Sequence, residues 1–522
     1  MNKSNIFRAI IVFFLFFCIF LTIHLHIKGL FGTDDPYYHV KHSWLIEQTG
    51  NINLVEPWLE FHFFNTAPTD PWWGYHLVLA VFIHFFGPFL GAKILTGILA
   101  ALVFTVYYFI LSDFKIRRPL VWTLLFYVSS VTFQFRLLFE RPFTIAIILS
   151  PLIYWLILRK KHLLVFIASF FFALFYNLAP LAIFMAFVFL AAEYYFHKKL
   201  DFRPIVAVCG GILAGIAAHP SSMNYVSVIF VHIFKVLALK FAGIDLGIGS
   251  EVQTIDFFKT ISSSFIVFAM FVVALAMFIE FASVRKNSNK FGGGFLAVFS
   301  FLWLFVTLLV PRGVEYWLPF AWIFIAVTFD SFFRTDEFVS VKDSVIKHVN
   351  AKILLFFCLS FVFIMALYNF FQIMGGVYDR NNDKTDYYFQ EANEWLKGNT
   401  PENSVVFYDD WSYWPLMFFY NHHNRYIAGM DPTFLYQHDK ELFWSWRNIG
   451  LMGMDCVDEG CTGVNPKEGL RATKPALMEK FGAGHILIEK EDDTPFLKLL
   501  NGFDHEYLKV FENEKLIIFK VI

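Results

Sequence analysis

Long apolar runs recur along this chain, separated by short polar breaks. A bilayer crossing needs about 20 mostly apolar residues. The first run, Ile6–His26, is too long for a signal-peptide core, and no small-residue cleavage site follows it, so it reads as a retained first helix. Further runs lie near 90–112, 119–137, 142–158, 163–178, 180–196, 203–219, 262–282, 291–310, 313–331 and 351–373. They predict a polytopic α-helical membrane protein with about 11–13 transmembrane helices. Two shorter runs, Trp73–Phe86 and Val226–Phe241, fit either a crossing or an interfacial helix. The basic loops decide between these readings, because short cytoplasmic loops collect Lys and Arg. Lys115/Arg117/Arg118, Arg159/Lys160/Lys161, Lys198/Lys199/Arg203, Arg285/Lys286/Lys290 and the 334–352 segment all share the side of Lys3 and Arg8 when there are about eleven crossings. Both ambiguous runs then fall on the outer side, and the N-terminus is expected in the cytoplasm.

The pattern changes after residue 373, where charged residues become common. Strand-like runs at Ser404–Tyr408, Ile486–Glu489 and Leu516–Val521 mix with helix-like runs at Asp386–Lys397 and Pro475–Phe481, which predicts a small α/β domain. The expected organisation is a transmembrane domain over 1–373, with outer loops 30–72 and 242–260, and an extracytoplasmic C-terminal α/β domain over 374–522. The turns at Phe139–Arg141 and Arg312 also face outward on this topology. No internal repeat of 20–50 residues is visible.

Composition narrows the class further. Of the 522 residues 57% are hydrophobic and only 16% are charged, against about 25% in soluble proteins, and mean hydropathy is +0.55. A soluble enzyme and a disordered chain are both excluded as defaults. The net charge of −1 offers no field to attract nucleic acid. Five cysteines are too few for a disulfide-built scaffold. Cys18, Cys209 and Cys358 fall in membrane runs, whereas Cys456 and Cys461 are close enough in sequence to close a small loop in an oxidising compartment.

With carboxylates so scarce, three near the outer face are conspicuous. Asp35 follows the first helix in GTDDPYYH, Glu140 sits in FQFRLLFERPF between Arg136 and Arg141, and Glu251 lies in GIGSEVQTI. Each has a plain structural reading: an Asp-Pro turn, a local ion pair at a helix end, and the first turn of a helix capped by Ser250. Taken together, carboxylates from three separate loops facing one compartment suit a hard divalent cation such as Mn²⁺ or Mg²⁺. His39 and His42 stand at i, i+3 beside the first motif, fit for a metal, a lipid phosphate or a simple interfacial place. Trp72, Trp73 and Tyr75 read as a membrane belt or as a platform for sugar.

These residues and their order resemble the catalytic subunit of oligosaccharyltransferases, in the bacterial and archaeal single-subunit form, which are integral-membrane GT-C glycosyltransferases. In that family the first outer loop carries an Asp before Pro and an aromatic, as Asp35 does. The second carries an acidic pair, of which Glu140 is the remaining member. A later loop carries a Glu followed two residues on by Gln, matched by Glu251 and Gln253. Arg312 in PRGVEYWLPFA matches the Arg that contacts the donor phosphate. Trp411 and Tyr413 line up with the WWDYG motif that grips the acceptor, but Ser412 replaces its Asp and Trp414 its Gly, so the sequon-reading part is altered. Asp431 and Asp439 match no family role.

The resemblance implies a transferase that moves a sugar or oligosaccharide from a polyprenyl-(pyro)phosphate donor in the membrane lipid to an acceptor, foremost a protein. Asp35 and Glu251 are implied as catalytic; Asp35, Glu140 and Glu251 as metal ligands; Arg312 as the donor-phosphate contact; and Trp411, Ser412 and Tyr413 as acceptor-binding. Three rivals stay open: a GT-C enzyme acting on lipid or cell-wall polymer, a transporter of lipid-linked sugars, and an inactive relative. The expected location is the plasma membrane.

Overall fold

The computed structural model describes residues 3–55, 58–249, 264–284, 290–335, 351–462, 464–491 and 494–522. The protein is an integral multi-pass membrane protein. Four described helices are long and apolar enough to cross a bilayer by themselves: Ile6–Leu25, Pro88–Asp113, Ser222–Phe241 and Ser360–Asn399. Shorter apolar helices, including Phe143–Leu158, His162–Phe175, Leu181–His197, Arg203–Ala218, Phe265–Glu280 and Gly294–Leu309, fall on the runs expected to cross. Ser222–Phe241 meets the length and composition of a span, although the charge pattern placed the run at 226–241 on the outer side.

One expected span is not continuous. The run at 119–137 breaks into Pro119–Val128 and Val131–Leu138, bent by 85°. The physical reason lies in two serines at the break. Ser130 caps the second helix by accepting from the Phe133 N–H at 3.2 Å, and Ser129 Oγ accepts the Trp322 indole N–H at 2.8 Å. Side-chain hydroxyls thus satisfy backbone and ring donors where the helix stops.

The chain divides into two compact units. The first comprises Met1–Lys28, Lys93–His219 and Ser250–Asp379; the second comprises Gly29–Ala92, Pro220–Gly249 and Arg380–Ile522. The second is built around a five-stranded sheet. Its strands are β1 (Val405–Tyr408), β2 (Arg425–Tyr426), β3 (Ala483–Glu489), β4 (Tyr507–Glu512) and β5 (Leu516–Val521), in the order β2-β1-β3-β5-β4. β1 runs parallel to β2 and β3, and β5 runs antiparallel to β3 and β4. β1, β3 and β5 match the three strand-like runs; β2 and β4 lack an apolar signal of comparable strength.

Distant segments complete this sheet and its core. Leu59 pairs in parallel with Tyr426 beyond β2, and the Tyr426 N–H donates to the Trp58 carbonyl at 2.9 Å. Phe407, Ile486, Ile488, Trp446 and Leu477 form the buried centre, and Phe61, Leu239, Ile244, Leu246 and Ile248 pack into it. The edge of the sheet is therefore covered by chain from residues 58–60, which removes exposed backbone donors and acceptors. Cys456 and Cys461 are joined by a disulfide, whereas Cys18 and Cys209 are free thiols.

Candidate functional site

In the first unit, basic side chains converge on one aromatic ring. Phe143 is fully buried and opens the helix Phe143–Leu158. The guanidinium of Arg136 lies 4.7 Å from the ring centre, and those of Arg141 and Arg312 lie 5.9 Å from it. Arg136 reaches the ring because the break at Ser129 and Ser130 turns its helix. Arg312 arrives on the turn Pro311–Gly313, which precedes the helix Val314–Phe332.

Acceptors fix these cations in place. Arg136 Nε donates to Glu315 Oε1 at 2.6 Å, and Arg312 Nη2 donates to the Tyr176 hydroxyl at 3.3 Å. Glu315, wholly buried, stands 3.9 Å from Arg312 Nε. Sequence reasoning set Arg136 and Arg141 beside Glu140 as a local ion pair. The structure takes Arg136 to Glu315, 179 residues away, so its role in this cluster was missed. Two arginines five residues apart at a helix end were the available signal. Glu140 is fully buried, with Oε1 3.4 Å from His24 Nδ1.

The second unit holds the remaining described candidates. Asp35 opens the helix Asp35–Thr49, with Asp34 at its N-cap and Pro36 next. A carboxylate in the first turn suits the positive end of the helix. Asp35 is half-buried and within electrostatic reach of Asp431 and Tyr38. Burial raises the Asp431 carboxyl above its ordinary value, the bonds from Thr433 oppose this, and the Asp35 charge adds to it. Asp431 and Asp439 serve as N-caps: their side chains accept from Thr433 N–H at 2.7 Å and Leu442 N–H at 3.0 Å. Glu251 and Gln253 lie outside the described residues.

Trp411, Ser412 and Tyr413 form one turn of 3₁₀ helix after β1. Asp410 caps it, accepting from the Ser412 N–H at 2.8 Å. Tyr413 is buried against Phe389. The Trp411 indole packs on the sheet core and donates to the Gly247 carbonyl at 3.0 Å, so it touches the chain just ahead of residue 250.

A buried polar cluster that sequence reasoning only half saw lies between Asp35–Thr49 and Trp73–Phe86. His39 and His42 belong to it, as the i, i+3 spacing allows, but their partners Asp70 and His76 were missed. The signal was a second Asp-Pro followed by an aromatic run and, six residues after the Asp, a His. Burial alone would raise the Asp70 carboxyl; His76 and His42 beside it outweigh this and hold it well below the usual carboxylate range. Trp72 packs edge-on against His39, and the Trp73 indole donates to the Ile52 carbonyl at 2.7 Å, which gives both tryptophans a packing role.

No family model matches the chain. No curated protein matches it either. Solved structures do. The Archaeoglobus fulgidus oligosaccharyltransferase, tethered to an acceptor peptide containing the NVT sequon, aligns with a TM-score of 0.60 at 12% identity, over 96% of this chain and 72% of that one. ArnT from Cupriavidus metallidurans bound to undecaprenyl phosphate aligns with a TM-score of 0.55 at 12% identity, over 99% of this chain and 97% of that one. The same ArnT in the apo state gives a TM-score of 0.55 at 11% identity. The chain has the fold of these GT-C membrane enzymes, as its sequence motifs implied.

Proposed function

We propose that this protein is a GT-C glycosyltransferase that moves a sugar or oligosaccharide from a polyprenyl-(pyro)phosphate donor to an acceptor, foremost a protein. The observation that carries this reading is the convergence of Arg136, Arg141 and Arg312 around Phe143 at the start of a helix. Guanidiniums give paired, planar donors matched to phosphate oxygens, and a helix N-terminus favours the same anion. Breaking the C1–O bond of the donor builds negative charge on the phosphate leaving group. Donors already held in place stabilise that charge as it forms, without reorganising.

Asp35 and Glu251 are the proposed catalytic carboxylates, and Trp411, Ser412 and Tyr413 the proposed acceptor contacts. Asp35, half-buried in the first turn of its helix, offers a carboxylate oxygen of the kind a hard divalent cation takes. Glu140, already against His24, suits such an ion less well. Mn²⁺ or Mg²⁺ held by Asp35, Glu140 and Glu251 would add positive charge beside the leaving phosphate. We place the transmembrane part at 1–373 and the acceptor-facing part at 374–522, with the N-terminus in the cytoplasm and the C-terminal part outside the plasma membrane.

A second reading, transfer to a lipid or wall polymer, is favoured by Ser412 and Trp414 where the acceptor motif has Asp and Gly. Purified protein in proteoliposomes, given a labelled polyprenyl-linked sugar and Mn²⁺, separates the two. Label on an Asn-containing peptide supports protein transfer, and label on lipid or polymer supports the second reading. Donor crossing the bilayer with no transfer would overturn both. Arg312→Ala and Arg141→Ala are each expected to slow transfer by about 10²–10³-fold while leaving the melting temperature within a few degrees.

A further inference from the structure

The cluster between the helices Asp35–Thr49 and Trp73–Phe86 has no part in the transfer chemistry above. His76 Nδ1 and His42 Nε2 both face one oxygen, Asp70 Oδ2, at 2.6 and 3.4 Å. The three candidate ligand atoms all lie within 4.8 Å of one another, and the side chains are at most 1% exposed. We propose that His42, Asp70 and His76 form a zinc-class metal site that ties the helix carrying Asp35 to the helix Trp73–Phe86.

Three features support a metal centre. The first is ligand chemistry. Two imidazoles and one carboxylate make a good set for Zn²⁺ and a poor one for Mg²⁺ or Mn²⁺, which prefer oxygen. The second is spacing. Tetrahedral zinc with bonds of about 2.0–2.1 Å sets neighbouring ligand atoms roughly 3.3 Å apart. The His42–Asp70 separation already meets that value, and His76 needs to move by less than its bond to the metal. The third is the shell behind the ligands. His76 Nε2 meets His39 Nδ1 at 2.8 Å, and Asp70 Oδ1 accepts the Trp72 backbone N–H at 3.0 Å. These anchored second atoms fix the ring tautomer of His76 and the orientation of the Asp70 carboxylate, as metal-bound side chains require, whereas His42 Nδ1 is buried with no hydrogen-bond partner among the described residues. His42 Nε2 donates to the Leu54 carbonyl at 3.1 Å, and a bound metal would take the place of that proton.

Such a centre would position Asp35 by holding its helix, and it stands or falls independently of any sugar transfer. Its test is metal content. Full-length protein, purified in detergent and dialysed without strong chelator, is expected to retain about one zinc per chain by elemental mass spectrometry. His42→Ala and His76→Ala should lose it, and Asp35→Asn should keep it. Zn²⁺ returned to chelator-stripped wild-type protein should raise the melting temperature, with Mn²⁺ giving no comparable rise. Stripped wild-type protein that takes up no zinc from micromolar solution would overturn the proposal. So would a folded His42→Ala, His76→Ala double variant that binds as much as wild type. If the variants fail to fold, Co²⁺ loaded into the stripped wild-type protein still decides: visible bands of tetrahedral nitrogen–oxygen coordination are expected, and a purely octahedral aqua spectrum refutes the site.

Discussion

Single residues here owe their chemistry to what surrounds them. His62 is an example outside the candidate sites. It is fully buried, its Nδ1 accepts the Phe64 N–H at 3.1 Å, and burial together with the nearby charges of His438 and His232 lowers it to about 3. A histidine kept neutral by the fold binds fewer protons than in the unfolded chain, so stability falls as pH drops from about 6.5 towards 3. The loss attributable to His62 is roughly 2 kcal/mol at pH 5. His62→Asn keeps a cap acceptor but does not titrate. Its melting temperature, lower at neutral pH from the lost ring, is therefore expected to fall less between pH 7 and pH 5 than that of wild type.

Arg312, Asp35 and Glu140 were visible as isolated charges beside apolar runs, because an unpaired charge near a bilayer is costly and therefore rare. Which charge meets which was not visible. Arg136 meets Glu315, 179 positions along the chain, and His42 meets Asp70 across 27 intervening positions. Asp431 and Asp439, without a role in the sequence motifs, are helix caps whose use is evident only from the backbone donors they face.

At the scale of elements, the break between Pro119–Val128 and Val131–Leu138 matters most. Hydropathy sums over residues 119–137 and reads one span; it does not register that Ser129 and Ser130 offer hydroxyls to other groups. Ser130→Ala removes the cap and is expected to cost about 1 kcal/mol, seen as a lower melting temperature. Because the same break aims Arg136 at Phe143, donor binding should weaken as well, read as a raised KM for the polyprenyl-linked sugar. The short strand β2 and the helix Pro432–His438 were likewise hidden, since two and seven residues are too few to show a period.

At the scale of the molecule, the sheet-bearing unit draws on three separate stretches of chain. A fragment spanning 374–522 lacks Leu59 and Phe61 at the sheet edge and Leu239 to Ile248 in the core. Expressed alone, it is expected to lose cooperative thermal unfolding by circular dichroism, and a sharp transition near that of the full chain would refute this. The sequence by itself determined the membrane class, the three strongest strands and the roster of rare charges. Each of these depends on local composition and period, which a linear reading sums faithfully. Only the tertiary structure decided that three arginines share one ring, that two histidines share one aspartate, and that Leu59 finishes a sheet at Tyr426, 367 residues on. Those outcomes depend on which distant groups satisfy one another once water is removed, and no window along the chain contains that information.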